Sequence, residues 1–410
     1  MIIKTSPLAP KKLKKLYEID GVSISSVSCG IKKNFKDDLV LIKFNSPSKI
    51  YGVFTNSKTP GAPIVWNKSI IKNGKVSALI INSGNANVFN GKKGEESLKK
   101  IISALSLKLS VSKKEIFMAS TGVIGEPLDY KKIIGKIPQL IKNLSNTPES
   151  WLKAANAIRT TDTFPKLYSE KIKFDEKENF YINGIAKGSG MIAPNMATML
   201  SFIVSNIPLE KNEAKKKFEN IVEKTFNSIT VDSDTSTSDM VLLILVKSKN
   251  RKSLGTLKKK EFFDKLTNLM TSLAHQIVKD GEGASKFIKI SVDGARNYKD
   301  AKSLGMSIAN SPLFKTAMAG SDSNWGRIIM ALGKTDVVID NSKISIKFGK
   351  FFILKTGQSL FLKNVKKINN YLKRKEIEIS VTVGKGSGSC SVWTCDLTKN
   401  YISINTDYRS

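Results

Sequence analysis

Short apolar runs of strand length alternate along this chain with stretches whose apolar residues recur at helical spacing. That alternation restricts the chain to folds in which helices cover sheets. Residues 39–44, 50–54, 78–82, 116–119, 200–205, 240–246, 287–292 and 377–383 read as strands. Residues 95–107 read as a helix. Thr147-Pro148-Glu149 carries the cap, proline and early acid of a helix start leading into 151–158. Within 261–279, Phe262, Leu266, Leu269, Leu273 and Ile277 fall on one helical face. The expected class is α/β. A length of 410 residues exceeds one comfortable core and predicts two domains or two interlocked lobes. The softest breaks in composition are 171–179 and 247–260, and no repeat or low-complexity linker separates units.

Charge narrows the partners. The formal net charge is +32, yet only Arg159, Arg251, Arg296, Arg327, Arg374 and Arg409 are arginines. Nucleic-acid readers favour arginine for bidentate phosphate and guanine contacts. The lysines are spread over the whole chain, so the reading is a solvated lysine-rich surface with no nucleic-acid partner. The longest apolar run, 240–246, is too short to span a bilayer, and the first fifteen residues lack an apolar signal core. A cytoplasmic protein without a membrane partner is the expectation. Cys29, Cys390 and Cys395 form no C-x-x-C pair and give neither a disulfide framework nor a zinc site.

Against this background stand seven loops rich in glycine and hydroxyls and nearly free of lysine. They span 82–87, 120–125, 160–163, 187–198, 232–237, 280–284 and 323–327. One such loop is an ordinary turn; seven at the ends of strand and helix patterns mark a site carried by a scaffold. In the fourth, Gly188, Gly190 and Pro194 favour irregular backbone before Thr198, and an apolar strand run follows at once. Thr198 is therefore a candidate nucleophile presented at a strand start, although a β-branched residue commonly begins a strand. Asp232-x-Asp234 lacks the glycine and glutamate of a calcium loop, so no metal is expected. The only histidine, His275, sits on the apolar helix 261–279 and reads as structural. A Ser-His-Asp triad would have to use it, so a hydroxyl nucleophile here needs another base. Its own α-amine serves if the residue is N-terminal.

These motifs resemble the bifunctional ornithine acetyltransferase/glutamate N-acetyltransferase family of arginine biosynthesis. The most specific is KGSGMIAPNMATML at 187–200. STGVIGEPL, TTDTFPK, VDSDTSTSDM, DGEGASK, NWGRI and WTCDLTKNYISINTDYRS support it in the same order. The resemblance implies a self-cleaving acetyltransferase fold cut between Ala197 and Thr198. The products would be an alpha chain, 1–197, and a beta chain, 198–410, assembled as two of each. Thr198 would carry the acetyl group from N-acetylornithine to glutamate. Thr121, through its hydroxyl, and Gly122, through its backbone N–H, would form the oxyanion hole. Substrate contacts carry over to Thr160 or Thr161, Lys187, Thr198, Glu282, Asn405 and Ser410. No metal or bound organic cofactor is implied; in bifunctional members acetyl-CoA enters as a further acetyl donor. The rival on a related scaffold is a self-cleaving amidase or aminopeptidase, with water as acceptor. The chain departs from the family pattern at Val88-Phe89-Asn90, at 319–323, and at Ser410, where threonine is common.

Overall fold

The structure is a computed structural model that describes residues 4–33, 36–174, 179–193, 199–209, 211–247 and 254–406. Its strands are β1 (Val22–Val27), β2 (Leu39–Phe54), β3 (Lys75–Asn85), β4 (Ile116–Val123), β5 (Lys166–Lys173), β6 (Asn179–Lys187), β7 (Leu200–Ser205) and β8 (Met240–Leu245). They continue as β9 (Phe287–Ala295), β10 (Ser345–Phe348), β11 (Phe351–Lys355), β12 (Gln358–Ser359), β13 (Glu376–Thr382) and β14 (Gly388–Cys395). The helices are α1 (Ala62–Ile70), α2 (Gly91–Leu109), α3 (Tyr130–Lys142), α4 (Pro148–Ala157), α5 (Lys211–Lys224) and α6 (Thr256–Lys279). They continue as α7 (Tyr298–Ala309), α8 (Pro312–Ala319), α9 (Gly326–Gly333), α10 (Phe361–Leu372) and α11 (Lys399–Thr406).

Strands β1–β8 form one sheet in the order β4-β3-β2-β8-β7-β6-β5, with β1 paired to the first half of β2. Strands β9–β14 form a second, in the order β12-β11-β10-β13-β9-β14. The β3–β4 and β7–β8 pairs are parallel; the other neighbours in the larger sheet are antiparallel. The soft break at 171–179 does not divide domains: it lies where β5 returns as β6, and both strands belong to the larger sheet.

The apolar runs at 200–205 and 240–246 follow from their place in the sheet. On β7, Ile203 packs into a core beneath α5 and α6, while Leu200, Phe202 and Val204 pack into a second core with Trp151 of α4. On β8, Val241, Leu243 and Leu245 face the first core and Met240, Leu242 and Ile244 the second. A strand buried on both faces reads as a continuous apolar run. Strands from either side of residue 198 thus interleave: β7 and β8 lie between β2 and β6.

The runs 39–44 and 50–54 join into one sixteen-residue strand, β2, whose register against β3 shifts between Lys43 and Ser48. Pro47 falls in that shift. A proline cannot donate to a ladder and is tolerated at such a bulge. The helix start at Thr147 forms as expected: its side chain accepts from the Ser150 N–H, and Ser150 returns a bond to the Thr147 N–H. The 261–279 helix begins earlier, at Thr256, and its apolar face fills the first core. No helix among the described residues is long and apolar enough to cross a membrane.

Phe202 is fully buried in the middle of β7. Phe202→Ala is expected to lower the unfolding free energy by about 3–5 kcal/mol, read as a shift of the urea midpoint at unchanged slope.

Candidate active site

The parallel strands β3 and β4 end side by side, with Asn82 opposite Ser120, Ser83 opposite Thr121 and Gly84 opposite Gly122. The Ser120 hydroxyl donates to Asn82 Oδ1 at 2.6 Å, and Asn82 Nδ2 donates to the Asn85 carbonyl at 2.8 Å, so the two loops are tied below the site. Gly122 has φ +129°, and a Cβ there would lie 2.3 Å from the Gly84 carbonyl carbon. Only glycine permits that backbone conformation and that close approach.

Lys187 ends β6 and is almost fully buried. Its Nζ donates to Thr121 Oγ1 at 3.2 Å. The Thr121 oxygen is thus an acceptor, which leaves its own proton to donate elsewhere. Burial pulls the Lys187 ammonium below the usual lysine range; Asp162, Asp239 and Glu282 oppose that shift.

Beside Lys187 lies a triad of charges with no side-chain exposure. Lys166 Nζ is 2.6 Å from Asp162 Oδ1 and 2.6 Å from Asp280 Oδ2. Asp162 also accepts from the Gly188 N–H at 2.7 Å and the Thr160 N–H at 3.1 Å. Asp280 accepts from the Thr163 N–H at 2.9 Å and from the Thr163 hydroxyl. Burial favours the neutral acid at Asp162, but Lys166, Lys187 and the Gly188 N–H outweigh it and hold the carboxyl well below the usual range. For Asp280, burial and the neighbouring Asp162 prevail over Lys166, and its carboxyl is pushed up.

The loop that begins at 232 brackets residues 194–198. On one side the Asp232 carboxylate accepts from the N–H groups of Met191 at 2.6 Å and Ile192 at 2.8 Å. On the other, Asp239 Oδ1 accepts from the Met199 N–H at 2.6 Å. The Asp232 carboxylate is therefore engaged with backbone rather than poised for a cation. Burial, reinforced by Glu282 and Asp234, pushes its pKa up to about 6. Among the described residues no three His, Cys, Asp or Glu side chains gather as a metal site.

A pocket of about 270 Å³ joins these parts. Thr121, Gly122, Thr160, Thr161, Lys187, Glu282 and Asn405 all line it. Asn405 Nδ2 donates to Glu282 Oε2 at 2.8 Å. The Glu282 carboxyl lies so close to Gly190 that a Cβ there would sit 2.4 Å from it. Thr161 shares a hydrogen bond of 2.7 Å with the Ser189 hydroxyl. Ala197, Thr198 and Ser410 lie outside the described residues. Sequence reasoning missed Lys166, Asp162 and Asp280 as a unit, and Asp232 and Asp239 as a bracket. The aspartates stand inside or beside the lysine-poor loops, which was a usable signal; Lys166, one lysine among many, carried none.

The site belongs to a helix-covered α/β protein and lies where two parallel strands of the larger sheet end at their carboxyl side. The chain is a member of the ArgJ family, whose profile matches residues 23–410. The "Arginine biosynthesis bifunctional protein ArgJ" of Bartonella quintana is 43% identical over 415 residues, spanning 100% of both chains. The protein of the same name from Mesorhizobium japonicum is 43% identical over 411 residues, covering 99% of each. Among solved structures, the arginine biosynthesis bifunctional protein argJ from Bacillus halodurans is 35% identical, covers 52% of this chain and 100% of its own, and superposes with a TM-score of 0.48.

His275 stands apart from this pocket, packed against the rings of Phe287 at 5.1 Å and Trp393 at 4.8 Å. Burial lowers its pKa to about 4, with Lys279 and Lys289 adding to the effect and Glu376 opposing it. A histidine kept neutral in the folded state takes up its proton more readily when unfolded, so it costs stability as pH falls from about 6.5 to about 4. His275→Phe is expected to flatten that loss. Relative to wild type, the variant should gain about 1–2 kcal/mol between pH 7 and pH 5 in urea titrations.

Proposed function

We propose that this chain is an acetyltransferase of arginine biosynthesis that moves the acetyl group of N-acetylornithine to glutamate through an acetyl-Thr198 intermediate. Full-length identity to the bifunctional relatives supports this reading. The structural observation that carries it is the Lys187–Thr121 hydrogen bond of 3.2 Å beside Gly122, at the wall of a pocket that also holds Glu282 and Asn405.

The precursor cuts itself between Ala197 and Thr198, giving an alpha chain, 1–197, and a beta chain, 198–410. The interleaving of β7 and β8 between β2 and β6 supports fragments that stay associated. The freed α-amine, with an ordinary pKa of about 7.7–8.0, accepts the Thr198 Oγ proton near neutral pH. Oγ then attacks the acetyl carbonyl. The oxyanion is met by the Thr121 O–H and the Gly122 N–H, the former free to donate because Lys187 occupies an acceptor site on its oxygen. Collapse breaks the C–N bond, the proton passes from the α-amine to the leaving nitrogen, and ornithine departs. Glutamate repeats the sequence in reverse through its own amine, which predicts ping-pong kinetics.

Lys187 pairs the substrate α-carboxylate, and Glu282, oriented by Asn405, pairs the terminal ammonium of N-acetylornithine. Thr160 or Thr161 and the chain end at Ser410 complete the contacts. The reading needs no metal or bound organic cofactor; an assay with acetyl-CoA and glutamate, without N-acetylornithine, decides whether acetyl-CoA is a second acetyl donor. The bifunctional relatives favour transfer over the amidase alternative, and a product assay with and without glutamate separates the two. The assembly is two alpha and two beta chains.

Thr198→Ala is expected to leave one uncut chain by intact mass and to abolish transfer; two native fragments from it would remove Thr198 from the nucleophile's role. Thr121→Ala is expected to lower kcat by about 10²–10³-fold with little change in KM. A loss confined to KM would make Thr121 a binding residue only.

A further inference from the structure

The Asp162–Lys166–Asp280 triad sets two acidic side chains against one ammonium in a fully buried place, and Asp162 is the one held well below the usual carboxyl range. Lys187 is the buried cation beside it. The one hydrogen bond the structure gives the Lys187 ammonium among the described residues is to the neutral Thr121 hydroxyl. Asp162 reaches Lys187 in a second way: its Oδ1 takes the Gly188 N–H at 2.7 Å, which fixes the peptide that follows Lys187. The same carboxylate takes the Thr160 N–H, so one side chain ties the 160–163 loop to the end of β6.

We infer that Asp162 is the positioning residue of Lys187: it locks the backbone after that lysine and supplies the countercharge that keeps its ammonium ionised in a buried site. This rests on the transferase reading, because it assigns Lys187 to the substrate carboxylate. Lys166 and Asp280 hold the Asp162 carboxylate in place, with Asp280 anchored in turn by Thr163. The groups acting on Lys187 come from several elements. Asp162, Asp239 and Glu282 favour its charged form, and Lys166 opposes it. Lys32 is also near enough for mutual repulsion; its Nζ is held by the Ala157 carbonyl at 2.9 Å. Of these charged groups, Asp162 acts most strongly on Lys187.

The test is the pH dependence of kcat/KM for N-acetylornithine in the cleaved full-length enzyme. Asp162→Asn keeps the shape and an acceptor for the Gly188 N–H but removes the charge. Loss of an opposite charge lowers a cation's pKa, so the alkaline limb should move down by about one pH unit or more. KM should rise about tenfold at neutral pH, with kcat within a few-fold. Asp162→Glu, which keeps the charge, should leave the limb where wild type has it even if the overall rate falls. An equal loss at every pH in Asp162→Asn, with the limb unmoved, overturns the inference and leaves Asp162 a structural residue. Should Asp162→Asn fail to fold, Asp162→Ser takes its place, and trace acetylation of Lys187 against pH, followed by mass spectrometry in that variant and in wild type, decides the question. A lysine that titrates at lower pH in the variant than in wild type supports the inference, and one that titrates alike in both overturns it. Absence of transfer in wild type would instead strike the transferase reading and leave the labelling result to stand alone.

Discussion

Three charges buried together at Asp162, Lys166 and Asp280 hold the site in register. Each costs several kcal/mol to remove from water, and such a cluster persists only when every oxygen and every N–H is engaged. Here the spare valences go to backbone: Gly188 and Thr160 to one carboxylate, Thr163 to the other. The triad therefore joins three separate pieces of chain, the 160–163 loop, the end of β6 and the loop after α6. Each of them delivers a pocket-lining side chain: Thr161, Lys187 and Glu282. Removing Lys166 leaves two buried carboxyls without a counterion, so the arrangement is stiff for electrostatic reasons rather than by packing alone.

The two sheets contribute differently. The larger one supplies the backbone wall through β3 and β4 and the lysine through β6; the connection from α6 to β9 in the smaller sheet supplies Glu282, and α11 supplies Asn405. A site assembled from strand ends and a late helix is sensitive to how the lobes sit together. Gly281 and Gly283 show how close that seam is: a Cβ at the first would meet Cys395 Sγ at 2.8 Å, and at the second the Tyr401 backbone at 2.5 Å.

Much of this was legible beforehand, for physical reasons. Strands β7 and β8 are buried on both faces, so their apolar runs needed no partner to be recognised. The helix start at Thr147 was written in local hydrogen bonding and survived into the structure. Strands β5 and β10–β12 were not legible: they are short or lysine-rich, and pairing rather than composition makes them strands. In the site, Thr121, Gly122, Lys187, Glu282 and Asn405 were identified by motif and do converge on one pocket. The partnership of Lys166 with two aspartates was invisible, because the contact between Lys166 and Asp280 spans 114 residues of chain. Burial of one lysine among so many has no local signature.

The loop beginning at Asp232 acts as a splint. It grips the chain at Met191 and Ile192 with one carboxylate and at Met199 with another, and the Val231 N–H adds a bond to the Ile192 carbonyl at 2.8 Å. Each grip is made to backbone on its own side of residues 194–198 and needs no covalent continuity between them. A break set within a splint keeps its ends aligned. The hydrogen bonds that hold the chain on either side thus do not run through the bond that the proposed maturation severs.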